Sequence, residues 1–513
     1  MKKLLLVFFT INCFAQAPAI EWQKKYGGSG NDTAASIKQT TDGGYILTGT
    51  TSSNDIDITN NHGGFDYSVI KITNNGLIEW KKTLGGSLND FPQDIIQTND
   101  SGFIVVGYSS SSDFDLSSNS GEEDIWIVKM NNTGVVEWKK TIGGSFYDLG
   151  MKIYQTADNG YIIGGNSRSQ DGDIIPSHIE GDFLVLKLSE SGDIVWQNSF
   201  GGSSHDYLAN IEKTIDGGYL LCGHTSSTDG DVQQNNGLHD YWIVKISDNG
   251  NLIWEKAYGG SQTDVALDAK ELNDGTIMVI GYSFSNDGQI TNSHGGCELW
   301  MVKLDSLGNM IWQKSIGGSK SDNGVKIITN NSDSSFIVLG ATNSTDGNVT
   351  AIVHPSYYFA HDSWIFKSDF NGNILWQKTI GGSGSDGFST MEPTADGGYI
   401  LIGQTDSNDG DVTIQNYGSA DFWVLKLSSE QLSSKTFENE TFLIYPNPTT
   451  NMIYIQTPNG TLIDKFIITD LLGKEIISQI NTNQVSTEIL SNGIYLVQIF
   501  SGDAKYQSKF IKQ

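Results

Sequence analysis

The stretch that decides the fold is residues 201–254, GGSSHDYLANIEKTIDGGYLLCGHTSSTDGDVQQNNGLHDYWIVKISDNGNLIW. Four short runs rich in aliphatic and aromatic residues lie within or just beyond it: Ala209–Thr214, Gly218–His224, Tyr241–Ile246 and Asn251–Lys256. The turns Asp216-Gly217-Gly218 and Asp248-Asn249-Gly250 supply residues that tolerate positive φ, as tight hairpins require. The stretch therefore predicts a sheet of four antiparallel strands.

Copies of this stretch fill most of the chain. The tryptophan of its last strand recurs at intervals of 58 residues five times and 64 residues once, as Trp22, Trp80, Trp138, Trp196, Trp254, Trp312 and Trp376. The other five tryptophans share a second repeat position, two residues after an acidic residue: Trp126, Trp242, Trp300, Trp364 and Trp423. A fixed period of this length indicates a repeat architecture.

The two ends of the repeat region complete each other. The last copy ends at Leu427 after its third strand, whereas Ile20–Lys24 has the pattern of a fourth strand without the preceding three. Pairing these segments closes a ring and removes exposed strand edges. Four antiparallel strands per unit and a period above 50 residues are typical of a β-propeller. We therefore predict an all-β chain whose residues 18–428 form a seven-bladed propeller closed by the N-terminal strand.

The repeats resemble the broad class of bacterial secreted β-propeller repeats with D-G-G-Y-I-L-x-G motifs. The resemblance covers about residues 19–428 and is clear at Asp42-Gly43-Gly44 and Asp396-Gly397-Gly398. It implies the fold much more firmly than a function, because one fold hosts many activities.

Composition narrows the class of protein. The 513 residues include 59 glycines, 8 prolines and 11% aromatic residues, which suits short strands joined by tight turns. A formal net charge of −28 argues against a nucleic-acid partner, since phosphate binding needs a basic surface. Cys13, Cys222 and Cys297 have no metal-ligand spacing, and we expect no disulfide between the last two.

The N-terminus has the layout of a secretory signal peptide. Lys2 and Lys3 precede an apolar run, Leu4–Phe9, and small residues follow at Ala15 and Ala17. This predicts a signal peptide over residues 1–17. Later apolar runs are shorter than a transmembrane helix needs, so we expect export to the periplasm or beyond without a transmembrane segment.

The C-terminal part differs in pattern from the repeats. Residues 429–441 are polar and predict a linker, and residues 442–513 predict a small β-sandwich. The latter segment resembles the type A C-terminal sorting domain of the Bacteroidetes type IX secretion system. The matching residues are Tyr445, Pro446, Asn447, Pro448, the block Asp470–Lys474 with Gly473, then Gly493, Tyr495, Lys509 and Lys512. The resemblance implies contact with the secretion machinery, passage across the outer membrane, and release or attachment to the cell surface.

Acidic residues recur on the loops that a propeller places at one face. One precedes the first strand of every blade: Asp32, Asp90, Asp148, Asp206, Asp264, Asp322 and Asp386. Another opens every third strand: Asp66, Asp124, Asp182, Asp240, Glu298, Asp362 and Asp421. Asp-Gly-Asp motifs lie between these positions at Asp171 and Asp173, Asp229 and Asp231, and Asp409 and Asp411. One hypothesis is that these motifs bind Ca²⁺ through carboxylate and carbonyl oxygens. The alternative, which we favour, is that the acids accept backbone N–H bonds and fix the loops.

Histidines recur before the third strand, as His62, His178, His239, His294 and His361. They could ligate a metal with the adjacent acid or serve as polar loop residues. Their distance from the acid is four residues in three blades and one residue in two, so we favour the loop interpretation.

Blade six departs most from the repeat. Its loop at residues 350–361 is six residues longer and contains His354, Tyr357, Tyr358 and Phe359, which could stack on sugar rings or anchor a protein partner. We found no nucleophile elbow, zinc motif or P-loop, and no carboxylate pair stands out. The sequence thus favours an exported binding protein for a glycan or a surface protein. A polysaccharide hydrolase or lyase and a structural surface-layer component remain alternative hypotheses.

Overall fold

The computed structural model describes residues 14–513 except 175–177, 179, 331–332, 352–360, 415–416, 419, 434–442, 457–462, 471–473, 481 and 502–503. The chain divides into two compact units, Phe14–Leu432 and a second that contains Ser433–Gln513. Strands and turns make up the described residues, and no helix occurs among them.

The strands follow the predicted repeat. Those of the first half are β1 (Phe14–Gln16), β2 (Ile20–Tyr26), β3 (Asp32–Gln39), β4 (Tyr45–Thr51), β5 (Asp66–Ile72), β6 (Ile78–Leu84), β7 (Asp90–Gln97), β8 (Phe103–Ser109), β9 (Asp124–Met130), β10 (Val136–Ile142), β11 (Asp148–Gln155), β12 (Tyr161–Ser167), β13 (Asp182–Leu188), β14 (Ile194–Phe200), β15 (Asp206–Lys213), β16 (Tyr219–Thr225), β17 (Asp240–Ile246) and β18 (Leu252–Tyr258). They continue as β19 (Asp264–Glu271), β20 (Ile277–Ser283), β21 (Glu298–Leu304), β22 (Met310–Ile316), β23 (Asp322–Asn330), β24 (Ser335–Thr342), β25 (Asp362–Asp369), β26 (Ile374–Ile380), β27 (Asp386–Pro393), β28 (Tyr399–Thr405), β29 (Phe422–Leu427) and β30 (Gln431–Ser433).

Seven four-stranded antiparallel sheets follow one another along this unit. Blade 1 is β3–β6, and each further group of four strands forms the next blade up to β23–β26 of blade 6. Blade 7 consists of β27, β28, β29 and the N-terminal strand β2, in which Ile20 pairs with Leu427 and Tyr26 with Phe422. The predicted seven-bladed propeller, with its last blade closed by the N-terminal strand, is confirmed.

The core lies between blades. Third strands such as β9 and β17 are buried along their whole length, because each is an inner strand of its sheet and both faces pack on neighbouring blades. Five tryptophans fill this layer and are fully buried: Trp126, Trp242, Trp300, Trp364 and Trp423. Tyrosine or phenylalanine of the preceding blade packs on some of them, as Tyr67 does on Trp126 with ring centroids 4.5 Å apart. Aromatic packing of this kind explains why tryptophan recurs at one repeat position.

The second unit contains β31 (Leu443–Tyr445), β32 (Met452–Gln456), β33 (Lys465–Thr469), β34 (Glu475–Ile480), β35 (Gln484–Ser486), β36 (Gly493–Ser501) and β37 (Ala504–Lys512). They form a three-stranded sheet in the order β31-β32-β35 and a four-stranded sheet in the order β34-β33-β36-β37. Ile453 and Val485 of one sheet share a buried cluster with Phe466, Val497 and Phe510 of the other. Two sheets packed on one core make a small β-sandwich, as predicted.

Candidate functional site

The recurrent acid of the inter-blade segment is the first residue of each first strand and a buried hydrogen-bond acceptor. In blade 4, Asp206 accepts from the backbone N–H of Gly202 and from Ser227 Oγ, both at 2.8 Å, and from Thr225 Oγ1. The bonds from the glycine N–H and from the serine equivalent to Ser227 recur in all seven blades. Burial raises the pKa of the Asp206 carboxyl. These acids therefore hold the loops of the face together.

The Asp-Gly-Asp motifs bind the same loops from the other side. Asp171, Asp229 and Asp409 each accept a backbone N–H at 2.7 Å, from Ser145, Ser203 and Ser383 respectively. The second aspartate of each motif bonds to the first glycine of the same inter-blade loop. Asp231 accepts from Gly201 N–H at 3.2 Å, and Asp411 accepts from Gly381 N–H at 3.4 Å. The backbone N–H of Asp173 donates to Gly143 O at 3.0 Å. In the part of the chain that the structure describes, no group of three or more His, Cys, Asp or Glu side chains is placed to hold a metal ion. Calcium binding at these motifs stays a prediction.

Three of the recurrent histidines contact the acid four residues later. The Nδ1 atoms of His62, His178 and His294 lie 3.3, 3.1 and 3.1 Å from carboxylate oxygens of Asp66, Asp182 and Glu298. Burial raises the pKa of the Asp66 and Asp182 carboxyls to about 6, against the opposing effect of the adjacent histidine. His239, with its shorter spacing, lies instead beside other histidines of blade 4.

The first strands of successive blades contact one another around the propeller axis. Each of them contains a β-bulge at the same place, where one extra residue interrupts the register with the second strand. Bulges turn side chains in directions that a regular strand does not allow. We call the extra residues the axial ring: Ala35, Gln93, Met151, Ala209, Leu267, Val325 and Ser389. All seven line a cavity of about 550 Å³.

The next residue of each first strand forms what we call the charged ring: Ser36, Asp94, Lys152, Asn210, Asp268, Lys326 and Thr390. The last five line the cavity. Its carboxylates are occupied: Asp94 accepts from Ser36 Oγ at 2.7 Å and lies 3.9 Å from Lys152 Nζ, and Asp268 accepts from Ile327 N–H at 2.8 Å and lies 3.4 Å from Lys326 Nζ. Two pairs deeper along the strands, Lys38 with Glu392 and Lys270 with Glu212, repeat the arrangement. The charges on the axis therefore balance.

The lysines of the charged ring differ in their surroundings. Burial lowers the pKa of Lys152, and Asp94 offsets only part of this effect. Burial also acts on Lys326, but the carboxylates around it, with Asp268 the strongest, outweigh burial and raise the pKa of its ammonium. The Lys326 ammonium therefore stays charged at neutral pH, and the amino groups of both lysines can donate hydrogen bonds into the cavity.

Aromatic side chains form part of the cavity wall. Phe65 and Phe91 line it with ring centroids 5.8 Å apart, and Tyr108 lies 5.3 Å behind Phe91. Two blades further round, Tyr207 lines the cavity and contacts Met151, with 3.8 Å between the hydroxyl oxygen and the sulfur. The wall is thus apolar and aromatic above a polar, charge-paired floor.

Three histidines lie behind Tyr207. The ring centroids of His205, His224 and His239 are 5.0 to 6.4 Å apart, and His224 lies 5.7 Å from the Tyr207 ring. Burial, followed by the other two histidines, lowers the pKa of His224 to about 3. The His224 ring behind Tyr207 is therefore neutral at neutral pH.

The sequence did not single out the residues of this cavity. His354, Tyr357, Tyr358 and Phe359 of the long blade-six loop lie outside the described residues, so their predicted binding role stays a prediction. The signal for the cavity was present in the repeats, because the charged ring is one alignment column in which an otherwise repetitive chain changes charge from blade to blade. The bulge that turns this segment toward the axis has no sequence signature of its own.

In the second unit, several of the described sorting residues contact the C-terminal strand β37. Asn447 donates its side-chain amide to Lys509 O at 3.2 Å and accepts the N–H of Ile511 at 2.9 Å. Thr449 bridges to Lys512, and Tyr495 packs on Phe510 with ring centroids 5.7 Å apart. Gly473 lies outside the described residues. The segment Tyr445–Pro448 thus binds the terminal strand.

Residues 443–513 match the family described as a secretion system C-terminal sorting domain. The chain therefore carries a type IX sorting domain at its C-terminus, as its motifs predicted. No curated protein matches the chain. The described residues include no helix with the length and apolar character that crossing a bilayer requires.

Solved structures with similar architecture share little sequence with this chain. YCF48 bound to D1 peptide is 8% identical with a TM-score of 0.40, over 81% of this chain and 100% of that one. BBS1N in complex with ARL6DN is 9% identical with a TM-score of 0.42, over 82% and 98%. Polysaccharide lyase Uly1 is 10% identical with a TM-score of 0.43, over 82% and 94%.

Proposed function

From the premise that residues 443–513 are a secretion sorting domain, we propose that the chain is an exported binding protein whose propeller holds a glycan in its axial cavity. Export begins with the signal peptide predicted over residues 1–17 and ends with release or attachment at the outer cell surface. The observation that supports binding at the axis is the variation of the axial and charged rings, where the otherwise similar blades differ in size, polarity and charge.

The lining has the chemistry that a neutral sugar requires. Phe91 of blade 2 and Tyr207 of blade 4 offer ring faces or edges to the cavity, and the apolar faces of pyranose rings pack on aromatic side chains. Asn210, Lys326 and Thr390 offer donors and acceptors for hydroxyl groups. A volume of about 550 Å³ lies within the range of about 300–1,000 Å³ that is usual for ligand sites.

Charge pairing indicates that the ligand is uncharged. Lys152 and Lys326 each have an aspartate partner on the ring, so a carboxylate or sulfate group would have to compete with Asp94 or Asp268. The same pairing disfavours acid–base catalysis by these aspartates. Burial opposes ionisation of Asp94, but Lys152 and Lys38 outweigh it and lower the carboxyl pKa, whereas a general acid needs a raised one.

A glycan array probed with the full chain tests this function. We expect binding to neutral oligosaccharides, and at least a tenfold loss of affinity for Phe91→Leu and Tyr207→Leu, measured by titration calorimetry with the best array ligand. Ile253→Ala, on the exposed side of the outermost strand β18, is the matched control and should bind normally. Unchanged affinity in both cavity variants would place the site elsewhere, and a sample with EDTA tests the calcium hypothesis separately.

A further inference from the structure

Two apolar residues have a backbone conformation that apolar residues rarely adopt. Ile56 has φ of 57° and Phe114 has φ of 51°. The other five non-glycine residues with positive φ in the described part of the chain are asparagines or serines. A β-branched or bulky residue in this region is strained, so these two positions call for a cause.

The equivalent residue in the other five blades is a glycine that follows an aspartate, at residues 172, 230, 288, 347 and 410. A Cβ atom added to Gly172, Gly230 or Gly410 would lie 2.4 Å from the carbonyl oxygen of the preceding inter-blade loop. The conformation of the loop therefore strongly favours glycine at this position. The strained side chains of Ile56 and Phe114 are not required for the loop conformation, so another role must account for them.

These side chains do not serve the core. Ile56 is 54% exposed and Phe114 is 68% exposed, whereas Ile58 and Leu116, two residues later in each loop, are buried. Phe114 stacks on the ring of His62 of the neighbouring blade, with centroids 4.8 Å apart. Two large apolar groups are thus held outward on adjacent blades.

The inter-blade loops add two more exposed apolar side chains in the same sector. Leu88 and Phe146 occupy one repeat position, where blades 4, 5 and 6 have Ser204, Gln262 and Lys320. The N–H of Leu88 donates to Ser111 Oγ at 3.1 Å, in the loop that carries Phe114. We call Ile56, Leu88, Phe114 and Phe146 the apolar rim, and it spans blades 1 to 3.

Carboxylates surround the apolar rim. Each strained residue lies between two aspartates, Asp55 and Asp57 or Asp113 and Asp115, and the loop of blade 2 adds Glu122 and Glu123. Two lysines also contact these loops: Lys139 pairs with Asp115 at 3.1 Å, and Lys81 donates to Ile56 O at 3.3 Å. Acids outnumber bases, so the apolar rim lies in a negative field.

We propose that the apolar rim is a docking surface for a basic segment of a partner protein that also bears apolar side chains. The apolar residues of that segment pack on Ile56 and Phe114, and its lysines or arginines face the flanking aspartates. Strained residues concentrate where a protein binds rather than where it only folds, and charge complementarity selects a basic partner. This surface belongs to the outer loops of blades 1 to 3 and is independent of the axial cavity.

The test replaces both residues by the glycine that the other blades have. We expect the I56G/F114G chain to melt at the same or a higher temperature than the native chain. The probe is a ten-residue peptide of alternating lysine and leucine, followed by fluorescence anisotropy at physiological salt. We expect it to bind the native full chain and to bind the double variant at least tenfold more weakly.

Matched controls distinguish binding at the apolar rim from nonspecific binding to other exposed apolar residues. Leu238→Gly removes a 65% exposed leucine of blade 4 and should leave binding unchanged, and a peptide of alternating glutamate and leucine should not bind. Equal binding of the lysine–leucine peptide to native chain and double variant would overturn the proposal, as would equal binding of the acidic peptide. Self-association of the native chain in sedimentation, abolished by the double variant, would assign the surface to a second copy and also overturn it.

Discussion

The loops that join the blades and the axial ring differ in how far the seven blades agree. Every blade repeats the aspartate that accepts from a glycine N–H and a serine hydroxyl, with nearly the same distances. Around the axis the same seven strands present alanine, glutamine, methionine, leucine, valine and serine. Positions that repeat in every blade are therefore those at which the fold requires one residue type. At positions that vary, the fold tolerates several residue types, so the side chain can serve binding instead.

Breaking one of the repeated contacts should have the largest effect. Asp206→Ala removes the acceptor of Gly202 N–H, Thr225 Oγ1 and Ser227 Oγ, and leaves three buried donors without a partner. We expect a loss of about 3 kcal/mol in the free energy of unfolding, measured by urea denaturation of the full chain. Met151→Ala in the axial ring is the comparison and should cost about 1 kcal/mol. Equal losses would contradict the division into fixed and free positions.

The second effect concerns pH and the acids that open the third strands. Burial, with help from Asp148, raises the pKa of the Asp124 carboxyl to about 6, from 3.8. The group binds its proton more tightly in the folded chain, so its contribution to stability is complete below pH 3.8 and is lost as pH rises through 6. Asp66, Asp182 and Asp240 have the same shift. We expect the propeller to be more stable at pH 5 than at pH 7.5.

Asp124→Asn isolates this contribution, because the amide keeps an acceptor for the N–H of Ser120 and cannot ionise. At pH 7.5 we expect a gain of roughly 2 kcal/mol in the free energy of unfolding, and at pH 3.5 almost none. Asp55→Asn, at an exposed aspartate of the same face, is the control. A gain that does not change with pH would show that the amide acts through packing and not through charge.

The smallest effect concerns the strained rim. Ile56→Gly should stabilise the fold by about 1 kcal/mol, and Gly230→Ile should destabilise it by about 1 kcal/mol. The reciprocal exchange compares one loop position in two blades, so the environment is nearly constant. Thermal melts of the two single variants measure both values. A loss of stability in Ile56→Gly would mean that the isoleucine supports its loop.

The sequence predicted the propeller because the fold depends on features that repeat. The spacing of Trp22, Trp80 and the later tryptophans set the blade, and the unpaired strand at Ile20 set the closure. The loop-fixing role that we favoured for the recurrent acids agrees with their hydrogen bonds, as Asp206 illustrates.

The axial cavity could not be predicted in the same way. Lys152 and Asp268 look like ordinary alternating strand residues, and only the bulge before them decides that they face the axis. Register of this kind depends on pairing with β12 and β20, which no local motif records. Ile56 and Phe114 were visible in the sequence as departures from Asp-Gly-Asp, but the cost of that departure is a backbone angle and became apparent only in three dimensions.

The pairing of β2 with β29 also has a consequence for the order of events during synthesis. Residues 20–26 are made before the other strands of the seven blades, yet their partner strand at residues 422–427 comes some 400 residues later. The entropy of closing so long a loop is about 5 kcal/mol, and the seventh blade repays it only when its three other strands are in place. Six blades can form as the chain grows, but the ring stays open, with β2 as a bare edge, until the last repeat is complete. Closure of the ring therefore requires the chain to be complete at least to blade 7: a chain cut short anywhere before residue 422 leaves β2 without its partner strand.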